Sequence, residues 1–112
     1  MTAKHPHILL FVSALGFLPQ VNAQYGAGTG TVDTLYKTHC AVCHAEDLTG
    51  SIGSSLVDDE WTYGSSDADL KRIIENGLPN GEMTPWKEIL SAKEIRSLII
   101  YLREQAHLAH HQ

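Results

Sequence analysis

The five residues Cys40-Ala41-Val42-Cys43-His44 constrain this chain more than any others. They read C-x-x-C-H, the attachment signature of a c-type haem. Cysteines three apart lie about one helical turn from each other, so both sulfurs face the same side. Each thiol can then form a thioether to one of the two vinyl groups of a single haem. His44 follows directly, which places its imidazole beneath the ring and within reach of the iron. A large flat apolar body held this way acts as cofactor and core together.

Other uses of the motif fit less well. A thioredoxin-like dithiol expects a βαβ setting, and no strand–helix alternation surrounds residues 40–44. Structural zinc takes four ligands, and the chain has no Cys beyond these two. A disulfide across so short a span would be strained, because its geometry is demanding.

Residues 1–23 read as a secretory signal peptide. Lys4 gives a weakly basic start, Ile8 to Leu18 is an apolar run ended by Pro19, and Val21-Asn22-Ala23 supplies a cleavage site before Gln24. The run is shorter than the roughly 20 residues a membrane span needs. No Cys lies near the cleavage site to carry a lipid anchor. Cleavage leaves residues 24–112, one small domain of 89 residues out of 112, a size at which a core alone stabilises little and a staple is usual.

Charge narrows the partners. The whole chain carries 8 Lys and Arg against 13 Asp and Glu, a net of −5. Loss of Lys4 with the signal leaves seven cations against those 13 acids, a net of −6. Nucleic-acid binding is excluded on that balance, since phosphate neutralisation needs basic patches. Acidity fits partners with basic docking surfaces, and it also serves simple solubility.

Along the chain, residues 24–30 are a Gly-rich leading segment. Thr29 or Thr31 can cap a first helix, with Asp33 in its opening turn. Val32, Leu35, Tyr36 and His39 form one apolar face, and this helix delivers residues 40–44. Residues 45–57 read as an extended loop over the haem edge. A short helix is expected over Asp58 to Gly64. Ser66 and Asp69 form a capping box for a helix carrying Leu70, Ile73 and Ile74, stopped by Gly77. Leu78 to Glu82 is a turn-rich loop presenting Met83. Thr84-Pro85 can start another short helix, running to Leu90. Ser91 to Glu94 is a second capping box, and Ile95, Leu98, Ile99 and Leu102 line a final amphipathic helix, with residues 107–111 as its frayed end. The class is all-α, four to five helices wrapped around one haem.

Apart from Met1, Met83 is the only methionine. A core Met is normally a gap-filler on an apolar face, but Met83 stands between an acid and Thr-Pro. A thioether bond to the iron, opposite His44, explains it better, since Met/His ligation is the usual cytochrome c arrangement. His107, His110, His111 or an open iron are the competitors, while His39 is too near the attachment turn to reach the opposite face. The His107, His110 and His111 cluster has spacing that suits zinc or copper, but a solvated helix end explains it with fewer assumptions.

Taken together, these elements resemble the class I cytochromes c of bacteria. The shared features are the first helix running into Cys40–His44, Asp47-Leu48-Thr49-Gly50, Trp61-Thr62-Tyr63-Gly64, Ile74-Glu75-Asn76-Gly77, Gly81-Glu82-Met83-Thr84-Pro85-Trp86 and the long last helix. The resemblance implies a periplasmic one-electron carrier rather than an enzyme. It implies one haem c bound through Cys40 and Cys43, with His44 and Met83 as the two iron ligands. Trp61 would lie near the haem propionates, or serve as an ordinary core aromatic. The loop and Trp61 features are similar to small cytochromes serving periplasmic dehydrogenases, including quinoprotein alcohol and sugar dehydrogenases. Partners would then be a dehydrogenase donor and an oxidase or other cytochrome acceptor. A haem subunit of a larger complex, or a gas-binding or peroxidatic haem, are the alternatives. Two departures stand out. Ala45 occupies the place where many relatives have Gly, a modest change if the backbone there is right-handed. The Pro whose carbonyl accepts from the ligand His is missing, as no Pro lies between Ala45 and Leu78, so that acceptor is unassigned by sequence.

Overall fold

The computed structural model describes residues 31–112. The signal peptide expected at 1–23 and the segment 24–30 fall outside the described residues. Four helices are present: α1 (Val32–His39), α2 (Ala41–His44), α3 (Asp67–Asn76) and α4 (Ala92–His110). No strand occurs among the described residues. The expected all-α class therefore holds.

Three of these helices, α1, α3 and α4, start where the sequence offers a cap. Thr31 accepts from the Thr34 N–H at the head of α1. Ser66 and Asp69 form a reciprocal capping box on α3, and Ser91 and Glu94 form another on α4. These satisfy amide donors that a helix start leaves orphaned. Gly77 ends α3 with φ 69°, its N–H donating to the Ile73 carbonyl at 2.8 Å. Leu70 and Ile74 of α3, Ile95, Leu98, Ile99 and Leu102 of α4, and Tyr36 of α1 form the core with Leu48 and Leu90. α4 is the common packing partner, touching both α1 and α3. Tyr101 of α4 stacks at a tilt against Tyr36, 5.5 Å between ring centroids. Its hydroxyl donates to Asp33 at 3.4 Å.

Two expected helices do not form. Residues 58–64 are bends and a turn. Asp58 takes the Glu60 N–H on its own carboxylate at 3.1 Å, the local competition that keeps Asp out of helices. So short a stretch also has no nucleus to spare. Residues 84–90 are likewise non-helical apart from one turn, in which Leu90 N–H meets the Trp86 carbonyl. The amides of Trp86 and Lys87 instead donate to the Ile74 and Glu75 carbonyls, at 2.9 and 3.3 Å, satisfying the end of α3. A third difference lies at the C-terminus. α4 stays helical to His110, with His111 as its cap residue.

Candidate haem-binding cavity

The attachment turn is built by breaking one helix into two. α1 stops at Cys40, whose N–H donates to Tyr36. Cys40 then accepts from the amides of Cys43 and His44 at 3.1 and 2.9 Å. That single turn is α2, and it sets Cys40 and Cys43 on one side, as i,i+3 neighbours must be.

After His44 the chain has to reverse. It does so at Ala45, with φ 64° and ψ 158°, a region otherwise left almost wholly to glycine. The right-handed backbone on which Ala45 would be a modest change is therefore not what forms. The Tyr36 hydroxyl donates to the Ala45 carbonyl at 2.7 Å and helps hold the turn. The reversed loop returns past His44, with Gly50 N–H on the His44 carbonyl and Gly53 N–H on the Cys43 carbonyl.

This return supplies the acceptor that the sequence left unassigned. His44 Nδ1 donates to the Ser54 carbonyl at 2.8 Å. A carbonyl only accepts, so Nδ1 carries a proton, and in the neutral ring the lone pair is then on Nε2. Gly53 makes the approach possible, because a Cβ there would sit 2.8 Å from His44 Cε1 and 2.9 Å from Nδ1. Neither Gly53 nor Ser54 carries a motif that sequence reasoning could weigh.

Met83 is set by a different glycine. Gly77 lies so close to the Met83 carbonyl that any Cβ would overlap it. The Leu78 N–H donates to that same carbonyl at 3.1 Å. The loop is thereby fastened to the end of α3.

All the residues expected to bind the cofactor face one cavity of about 610 Å³. Cys40, Cys43, His44, Met83 and Trp61 line it, against an apolar wall that includes Leu70, Leu98 and Leu102. The volume is in the range of about 300–1,000 Å³ typical of cofactor sites. Trp61 is backed by Arg103 of α4, whose guanidinium lies 5.6 Å from the ring centroid and whose Nε donates to Asp67 at 2.9 Å. The cavity wall carries the carboxylates Glu60 and Glu82 and no Lys or Arg. Val42 and Ile52, also in its lining, are 74% and 83% exposed and form an apolar rim.

The competitors for the iron are placed elsewhere or otherwise engaged. His107, His110 and His111 do not line the cavity. The His107 and His111 rings pack on each other at 4.3 Å, and His110 Nε2 lies 3.6 Å from Asp59. No group of three or more His, Cys, Asp or Glu suited to a metal ion occurs among the described residues. His39 reaches the cavity, with its ring edge-on to Trp86 at 5.2 Å.

A haem c fits this donor set: two thiols one turn apart, an imidazole with a free lone pair, and a thioether, all around an apolar cavity. A redox dithiol does not. Burial, and secondarily Cys43, push the Cys40 thiol up to about 11, whereas exchange motifs need a lowered thiol.

Known proteins agree with that chemistry. Residues 29–102 match the family model described as cytochrome c oxidase, cbb3-type, subunit III. Over 76 residues the chain is 36% identical to the cbb3-type cytochrome c oxidase subunit CcoP of Azospirillum brasilense, taking in 62% of this chain and 25% of that protein. Cytochrome c-L of Methylorubrum extorquens is 33% identical over 72 residues, 63% of this chain and 36% of that one. The chain thus spans between a quarter and little more than a third of the curated relatives it matches. A solved structure described as the KustC0563 c-type cytochrome superposes with a TM-score of 0.59 at 29% identity, over 68% of this chain and 98% of that chain.

Proposed function

We propose that this chain, which belongs to the cytochrome c family in the group described as subunit III of the cbb3-type oxidase, works in haem-based electron transfer as a periplasmic one-electron carrier with a single covalent haem. One observation carries the proposal. Cys40, Cys43, His44 and Met83, drawn from two distant segments, line the same cavity.

A haem c bound there would supply a one-electron couple. Cys40 and Cys43 would hold it through thioethers. His44 would bind the iron through Nε2, with the Ser54 carbonyl fixing tautomer and ring orientation. Met83 would bind it through its thioether, which raises the potential relative to nitrogen ligation. The largely apolar lining would pack against the faces of the group. Trp61, backed by Arg103, would wall the cavity beside the propionates. Electrons would then pass through the rim of Val42 and Ile52. Because the cavity wall holds only carboxylates as formal charges, a donor or acceptor with basic groups around its own redox centre would dock best.

The donor in this reading is a periplasmic dehydrogenase and the acceptor an oxidase or another cytochrome. A second reading draws on the relatives described as oxidase subunits: the same domain would work as a bound haem subunit of a larger complex. No helix among the described residues is long and apolar enough to cross a membrane.

An absorption spectrum of the protein, oxidised and reduced, with and without carbon monoxide, tests the reading. Sharp reduced haem c bands, a far-red thioether–iron band when oxidised and indifference to carbon monoxide are expected. A clear carbon monoxide shift would replace the carrier by a gas-binding or peroxidatic haem. Absence of covalent haem would overturn the proposal outright.

A further inference from the structure

We propose that Tyr63 is a positioning residue for Met83, its hydroxyl latching the Met83 loop closed by donating to the Glu82 carboxylate. The inference rests on Met83 as the distal iron ligand. It concerns how firmly that ligand is held.

The loop is fastened at its base and loose at its tip. At the base, Leu78 N–H donates to the Met83 carbonyl at 3.1 Å and Trp86 N–H to the Ile74 carbonyl at 2.9 Å. Within the tip, Gly81 N–H turns back onto the Leu78 carbonyl at 3.1 Å. Asn80, Gly81 and Glu82 are exposed. The hydrogen bond that ties this tip to another element is Tyr63 Oη to Glu82 Oε2, at 3.0 Å and 19 positions apart in sequence. Both residues line the cavity, so the bond joins two separate segments of its lining, one of them the residue before Met83.

Tyr63, in contrast, stands on a fixed post. Its carbonyl accepts from Arg72 at 3.1 Å, and Arg72 also donates to Asp69 at 3.2 Å. Asp69 is locked in the α3 capping box, accepting from Ser66 Oγ at 2.6 Å. Gly64 follows with φ 103° and lies against that same carboxylate, where a Cβ would come within 2.5 Å of Asp69 Cγ. The chain of contacts therefore runs from the head of α3 through Arg72 and Tyr63 to the residue preceding Met83. Without the hydroxyl, the tip keeps only its internal turn. The base bonds still place Met83 in the cavity, but an added ligand then competes with its sulfur against a loop that yields.

The test is an imidazole titration of the oxidised, haem-loaded protein. It compares wild type with Tyr63→Phe, Glu82→Ala, Glu82→Gln and the Tyr63→Phe/Glu82→Ala double variant. Tyr63→Phe is expected to bind imidazole roughly three- to tenfold more tightly, the scale of one net hydrogen bond. Glu82→Ala should match it, the double variant should be no tighter than either single one, and Glu82→Gln, which keeps an acceptor oxygen, should stay near wild type. Circular dichroism should be unchanged throughout. Single variants that bind imidazole as weakly as wild type, or effects that add in the double variant, overturn the latch alone. A wild-type protein that lacks the far-red thioether–iron band overturns Met83 ligation and the latch with it.

Discussion

Ala45 shows how a single position can be costly and still be kept. Its φ of 64° with ψ 158° belongs to a region that costs a residue with a Cβ about 1–3 kcal/mol. The reversal made there brings the Ser54 carbonyl onto His44 Nδ1. Ala45→Gly should therefore raise stability by about 1 kcal/mol once the extra freedom of glycine in the unfolded chain is subtracted. A thermal melt should show the midpoint rising by roughly 4–8 °C for a domain of this size. Gly53→Ala should act in the opposite sense. Its new methyl would meet the His44 ring at 2.8 Å, an overpacking penalty of about 1–3 kcal/mol. The methyl would push the ring away from the Ser54 carbonyl that orients it, so a drop in midpoint potential or loss of the far-red band should accompany the lower melt. Cys40, Cys43, His44 and Met83, which line one cavity, could be singled out in the sequence because each has a chemistry that few positions need. Ser54 was not, since it contributes only a backbone carbonyl, which every residue has.

At the scale of elements, the helices follow local signals and the loops do not. Both capping boxes form as their S-x-x-D and S-x-x-E patterns predict, and the four apolar residues expected to face inward on α4 are the four that are buried. Ser91→Ala should cost about 1 kcal/mol, the usual loss for an N-cap, read as a lower urea midpoint. The boxes also carry a pH signature. The amide and hydroxyl of Ser91 hold the Glu94 carboxyl below its ordinary 4.5. The Ser66 hydroxyl, then Arg72, hold Asp69 below its ordinary 3.8. A depressed carboxylate stabilises the fold above its unfolded value, and that support is lost as pH falls through the folded one. The urea midpoint should thus decline from pH 4.5 downward, and Glu94→Gln should show a shallower decline than wild type. The helices expected over 58–64 and 84–90 failed for a reason outside their own residues in the second case: α3 needed amide donors for its last carbonyls, and Trp86 and Lys87 supplied them.

For the whole molecule, the cavity is the dominant fact. About 610 Å³ bounded by Leu70, Leu98, Leu102 and Ile74 is several times the roughly 150 Å³ of a well-studied engineered void. The Cys40→Ala/Cys43→Ala chain, unable to hold a haem covalently, should accordingly lose its near-ultraviolet circular dichroism and melt far below the loaded protein. The net charge of −5 and the carboxylate-only wall also predict that electron exchange with a basic partner slows on the order of tenfold as salt rises from low to molar concentration, measurable by stopped flow. The haem motif, the helix starts and the buried face of α4 are decided by sequence alone, because each depends on residues within a turn or two of one another. Only the tertiary structure decides that Ser54 faces His44, that Gly77 lets Met83 approach, and that Tyr63 reaches Glu82. Those contacts join segments whose spacing carries no periodic signal, and they form only when α3 and α4 have packed and closed the loops over a common cavity.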